Sequence, residues 1–165
     1  MTAPLTIRPA LTGEYQAIGQ LTAHAYAPVL SFGTTDPYVS TLQDAAGRAE
    51  KAELWAAVSQ GQLAGTVTVC RPGGPYAEIA SSCELEVRML AVDPAHQRTG
   101  MGAALMSAVH TTAAAEGFVA VVLSVIDSNT RAQAFYSSLG YERDPERDWQ
   151  PLPNVTLQVW RRALS

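Results

Sequence analysis

The stretch that most constrains this chain is Gln97-Arg98-Thr99-Gly100-Met101-Gly102. It lies between a β-prone run ending at Val92 and the apolar stripe Met101, Ala104, Leu105, Ala108 and Val109. A strand, a tight loop and a helix opened by two glycines make an α/β unit. The first N–H groups of a helix have no intrahelical acceptor and sit at the positive end of its dipole. Glycine lets an anion approach them because no Cβ intervenes, and Arg98 adds a cation. The loop therefore suits an anion such as phosphate. Two familiar phosphate designs fail here: a dinucleotide fold wants a third glycine where Leu105 stands, and a P-loop wants Lys-Ser/Thr where Ala103-Ala104 follow.

The rest of the chain reads as alternating elements around that unit. Leu5 to Pro9 reads as a strand. Ile18, Leu21, Thr22 and Ala25 recur at helical spacing, predicting a helix from about Glu14 to Tyr26. Ala27 to Pro37 is a loop rich in breakers, and a second helix is expected over Tyr38 to Ala52. Glu53 to Ser59 and Leu63 to Arg71, joined by Gln60-Gly61-Gln62, read as a hairpin. A fourth strand is expected from Cys83 to Val92, ended by Asp93-Pro94, and a third helix from Gly100 to about Glu116. Phe118 to Ile126 is almost wholly apolar, as a strand covered on both faces would be. Ala132, Phe135, Tyr136 and Leu139 mark a fourth helix that stops at Gly140, and a last pair of strands starts at Tyr141, its second member Val155 to Arg161.

Composition narrows the partners. At 165 residues the chain fits one domain, residues 1 to 165, and its formal charge of −4 with no basic stripe argues against nucleic acid. No apolar stretch approaches the roughly 20 residues of a membrane span, and the start MTAPLTIRPA shows no signal peptide. Cys70 and Cys83 form no framework and read as reduced core thiols on neighbouring strands, so the expected location is cytoplasmic. His24, His96 and His110 form no metal-ligand pattern, and no metal is expected.

Gln97, Gly100 and Gly102 fit the Gln/Arg-x-x-Gly-x-Gly/Ala signature of the GNAT superfamily of N-acetyltransferases. Glu86 to Pro94 resembles that family's fourth strand and following turn, and Asn129 with Ala134-Phe135-Tyr136 and Leu139-Gly140-Tyr141 resembles its second cofactor motif. Arg147-Asp148-Trp149 with Pro151 and Pro153 is similar to one bacterial subgroup. The resemblance implies an α/β fold: a mixed, mostly antiparallel sheet splayed between strands 4 and 5 and flanked by about four helices. It also implies acetyl-CoA as co-substrate. Its pantetheine would pair with backbone at Leu90, Ala91 and Val92, and its pyrophosphate would rest on the amides of Arg98, Thr99, Gly100, Met101, Gly102 and Ala103.

Joining an amine to a thioester needs a neutral amine, a polarised carbonyl and a protonated leaving sulfur. Strand alternation places Glu84, Glu86, Arg88 and Leu90 on one face, and Leu85, Val87 and Met89 on the other. Glu86 matches the position of the general base in several members of that family, with Glu84 as the fallback. Glu86 could equally be an ion-pair partner of Arg88. Tyr136 is expected to protonate the sulfur, although it also lies on an apolar helical stripe where a buried tyrosine is ordinary. Asn129 is expected to contact pantetheine, to cap its helix, or both. The acceptor is expected to be a small-molecule amine or a peptide N-terminus or lysine, chosen by the loops Ala27 to Pro37 and Arg143 to Trp149. A homodimer is compatible with the sequence. The competing reading is a coenzyme-binding sensor or partner module without turnover.

Overall fold

The computed structural model describes residues 5–165; the leader reading at Met1 to Pro4 lies outside them. The strands are β1 (Leu5–Pro9), β2 (Glu53–Ser59), β3 (Gln62–Cys70), β4 (Glu84–Val92), β5 (Ala120–Ile126), β6 (Glu142–Arg143), β7 (Trp149–Leu152) and β8 (Val155–Ala163). The helices are α1 (Tyr15–Tyr26), α2 (Val39–Gln43), α3 (Ala45–Lys51), α4 (Met101–Ala115) and α5 (Thr130–Ser138). One mixed sheet runs in the order β1-β2-β3-β4-β5-β8-β6, with β7 also on β8. β4 and β5 are its parallel pair, joined only from Glu84–Ala120 to Val87–Leu123. Beyond Val87 the two strands part and the sheet splays.

Helices cover both faces. Met101, Leu105, Met106, Val109 and Ala113 of α4 and Tyr136 of α5 pack with Leu85, Val87, Val67 and Val69 in the largest core cluster. On the opposite face Ile18 of α1 and Ala45 of α3 meet Leu54 and Ala56, while Ala23 and Leu42 meet Met89. α1 crosses α2 at Gly19, where an added Cβ would lie 2.2 Å from the Gln43 carbonyl oxygen. Only glycine permits that approach.

Several expectations change. The helix expected over Tyr38 to Ala52 is broken at Asp44, whose carboxylate accepts the Gly47 N–H at 3.0 Å and caps α3. Fully buried Arg48 donates back to the Thr41 and Leu42 carbonyls at 3.0 and 2.9 Å, satisfying the end of α2. There are thus five α-helices rather than four among the described residues. The expected last pair of strands is three, because β6 and β7 pair successively with β8 around a turn at Pro145–Arg147. Cys70 is buried as expected, but Cys83 precedes β4 and is exposed. The β2–β3 hairpin turns at Gln60 and Gly61, both with positive φ (53° and 74°).

Alternation along β4 is interrupted as well. Thr68 pairs with Arg88 but Thr66 pairs with Ala91, so Met89 and Leu90 together oppose Val67. This is a β-bulge, and Met89 takes φ 55° to make it. Glu84, Glu86 and Arg88 do share a face, but Leu90 does not join them. Met89 turns towards α1 and α2, while Leu90 and Val92 pack on the α4 side.

Candidate active site

The mouth of the splay is where the predicted coenzyme-binding residues meet. The loop after β4 makes a short 3-10 turn at Pro94–His96, started by the Asp93 carboxylate accepting the Ala95 N–H at 2.9 Å. Arg98 (φ 63°) and Gly100 (φ 82°) then adopt left-handed backbone on either side of Thr99. Such alternation aims successive amides into one concavity. The first bond into α4 is Ala104 N–H to the Gly100 carbonyl at 2.9 Å. The amides from Arg98 to Ala103 find no hydrogen-bond acceptor among the described residues.

Side chains of this loop play minor parts. Met101 is buried in the core, Gln97 and Arg98 are exposed, and the Thr99 hydroxyl is spent on the His96 carbonyl. Gly102 keeps α4 close to α5: a Cβ there would meet Phe135 Cζ at 3.2 Å. Asn129 caps α5, its Oδ1 accepting the Ala132 N–H at 3.1 Å. Leu90, Ala91 and Val92 border the splay with no β5 partner.

The three candidate catalytic groups have very different surroundings. Glu84 is 4% exposed. Its Oε1 accepts from Arg147 at 2.8 Å and the Ser81 N–H at 3.0 Å, and its Oε2 from Arg161 at 2.8 Å and Arg147 at 3.1 Å. Burial opposes the charge, but the Arg147 fork, the Ser81 amide and Arg161 together hold its carboxyl down to about 2. A carboxylate so fully engaged is a poor base.

Glu86 is 1% exposed, and its Oε1 accepts the N–H groups of Glu78, Ile79 and Ala80 at 2.9, 2.9 and 3.0 Å. The expected alternative of a pair with Arg88 is not formed. Arg88 instead donates to the Tyr76 carbonyl at 3.1 Å and the Tyr38 hydroxyl at 3.2 Å, with Glu78 at 3.8 Å. Burial raises the Glu86 carboxyl above its ordinary range, and the three amides only partly offset it. Oε2 makes no hydrogen bond among the described residues.

Tyr136 is 7% exposed and lies edge-on to Phe135 and Tyr141, at ring separations of 5.1 and 5.6 Å. Burial, with smaller contributions from Tyr26 and Tyr141, raises its phenol well above 10 and keeps it protonated. Tyr26 belongs to α1, on the opposite face of the sheet, and packs with Ala23, Leu42 and Met89. Tyr38 packs beside Tyr26 in that cluster, and the Tyr38 hydroxyl accepts from Arg88 at 3.2 Å. Trp149 bonds Ser124 Oγ at 3.2 Å through its indole N–H. His96 stands by Asp93 at 3.9 Å, and His24 is exposed. Among the described residues there is no group of three or more potential metal ligands, and no helix is long and apolar enough to cross a membrane.

A mixed sheet opened beyond its parallel pair, with an amide-lined helix start at the opening, defines the GNAT fold. The Acetyltransferase (GNAT) family profile matches residues 18–141, and the chain belongs to that family. It is 32% identical over 93 residues to N-acetyltransferase family 8 member 3 of Rattus norvegicus, a match covering 56% of this chain and 40% of that protein. It is 45% identical over 58 residues to mycothiol acetyltransferase of Kocuria rhizophila, covering 35% of this chain and 19% of that protein. Both matches thus span less than half of the curated relatives. In fold it resembles the PaiA N-acetyltransferase of Thermoplasma acidophilum, solved in complex with coenzyme A. That likeness has a TM-score of 0.74 at 12% identity, over 97% of this chain and 99% of that one.

Proposed function

We propose that this chain transfers an acetyl group from acetyl-CoA to a primary amine of a small molecule or peptide, directly within a ternary complex. The observation that carries the reading is the unpaired run of amides from Arg98 to Ala103 at the mouth of the splay. The pyrophosphate rests on those amides beside Arg98, and pantetheine pairs with the free edge of β4 from Leu90 to Val92. The neutral amine attacks the thioester carbonyl carbon, a backbone N–H at the Met89 bulge meets the oxyanion, and the carbon–sulfur bond breaks. Tyr136 gives its proton to the departing sulfur. The proton shed by the amine leaves through water towards Glu86 Oε2, the oxygen its three amides leave free. Glu84 takes no part in proton transfer.

Thiol release from acetyl-CoA across a panel of amines, amino acids, polyamines and peptides tests this. Turnover with at least one acceptor is expected. Tight coenzyme binding without turnover on any acceptor would instead favour a sensor module, and absence of binding would sink both readings.

A further inference from the structure

The Arg147-Asp148-Trp149 stretch plays no part in the chemistry above, yet each of its side chains is tied to a different part of the sheet. Asp148 Oδ1 accepts the Val159 N–H of β8 at 2.9 Å, and its Oδ2 pairs with Arg143. The Trp149 indole donates to Ser124 Oγ of β5 at 3.2 Å. With these two anchored, Arg147 reaches the connection between β3 and β4. Its Nη2 donates to the Ile79 carbonyl at 2.5 Å and to Glu84 Oε1 at 2.8 Å, and its Nη1 to Glu84 Oε2 at 3.1 Å.

The Ile79 carbonyl and the Ala80 N–H are opposite edges of one peptide plane, because a trans peptide bond is rigid and points them in opposite directions. Holding the oxygen on Arg147 therefore aims the hydrogen the other way, where Glu86 Oε1 accepts it at 3.0 Å. The Glu78 and Ile79 N–H groups converge on the same oxygen, and the Ser81 N–H is taken by Glu84, the second partner of Arg147. Four successive amides are thus shared between two carboxylates, and one guanidinium pins the segment. The charged or titratable groups around Glu86 are Arg88 on its own strand, Cys70 opposite it on β3 and Glu78 in the segment itself; Val122, its partner on β5, carries no charge. Each of the three amides favours the carboxylate form, against the burial that disfavours it. We propose that Arg147 is a positioning residue for Glu86: it holds the amides of residues 78–80 on Oε1, so that Oε2 stays free to receive the amine's proton. The role of Glu86 as acceptor rests on the acetyl-transfer reading above; the clamp itself does not.

Arg147→Gln and Arg147→Lys test the clamp, each checked for folding by circular dichroism. The Glu86 carboxyl is titrated by carbon NMR on glutamate-labelled chain, its signal assigned against Glu86→Gln, and the amides of residues 78–80 are followed by hydrogen exchange. In Arg147→Gln those amides should exchange about tenfold faster or more. With the donors loosened, burial is less opposed, so the Glu86 titration should move to higher pH. The acid limb should move with it, and kcat/KM at the wild-type midpoint of that limb should fall about threefold or more. Lysine keeps the charge but not the planar fork, so Arg147→Lys should lie between the two. Glu84→Gln retains an oxygen for Ser81 and Arg147 and leaves the clamp in place. Wild-type exchange and a wild-type Glu86 titration in Arg147→Gln, or in Arg147→Lys if only that variant folds, would overturn the proposal. Faster exchange with an unmoved titration would overturn it equally, reducing Arg147 to a strut. The titration needs no acceptor, so it decides the clamp even for a chain that turns over no amine.

Discussion

Replacing Glu84 with glutamine separates a strut from a base, and its effect can be worked out beforehand. The carboxyl is held at about 2 in the folded chain against an ordinary 4.5. Each tenfold change in proton affinity corresponds to about 1.4 kcal/mol, so the charge contributes about 3 kcal/mol at neutral pH. The outer ends of Arg147 and Arg161 are 29% and 37% exposed, so solvent screens part of this and about 2 to 3 kcal/mol is expected. Because the folded value is depressed, the contribution is complete above pH 4.5 and is lost as pH falls towards 2. Linkage gives a loss of about 1 kcal/mol by pH 4 and about 2 kcal/mol by pH 3. Urea unfolding of wild type and Glu84→Gln at pH 7, 4 and 3 should therefore show a stability gap that narrows by those amounts. The acid limb of the rate profile should stay where it is in the wild type. A gap that does not change with pH would mean that the carboxylate acts through shape rather than charge. A displaced acid limb would return Glu84 to the proton path.

Tyr136→Phe should lower kcat about a hundredfold with the KM for acetyl-CoA within a factor of two, because the ring stays and only the proton donor goes; unchanged kcat in steady-state assays would reduce Tyr136 to packing. Gly19→Ala should cost about 2 kcal/mol in thermal or urea melts, since its methyl meets the Gln43 carbonyl at 2.2 Å; a neutral result would mean that α2 yields freely. In the native chain Cys83 should react with a thiol reagent and Cys70 should not, because Cys70 is buried and its thiol is pushed up to about 12. Counting released chromophore before and after denaturation checks it; two fast thiols in the native chain would contradict the burial.

What the sequence revealed was mostly local. The glycines of the loop before α4, the Asn129 cap and the stripes of α4 and α5 act within a few residues of themselves, so spacing alone exposes them. The bulge at Met89 escapes because Met89-Leu90 are two apolar neighbours, and apolar neighbours look the same whichever face each takes. The break at Asp44 escapes because an aspartate is read as a cap only when the backbone before it leaves the helix. The use of Glu84 depends on Arg147, 63 positions away, and Arg161, 77 away. The use of Glu86 depends on amides of a loop that has no regular pattern. Which of two carboxylates on one face is tied down is therefore a tertiary fact.

The short ladder between β4 and β5 has a mechanical consequence. From Glu84 to Val87 it is where the two halves of the sheet are stitched together, and the Glu84 pairs with Arg147 and Arg161 bridge the same seam. On one side lies the meander β1 to β4, and on the other β5 to β8. The chain is thus two leaves joined along one edge by a short, ionically reinforced joint. The same two leaves are also held from one side by α4 and α5. Leu105, Val109 and Tyr136 of these helices share a core with Val67 and Val87 of one leaf and Leu123 and Val125 of the other. Ladder, ion pairs and core together fix the opening between the leaves.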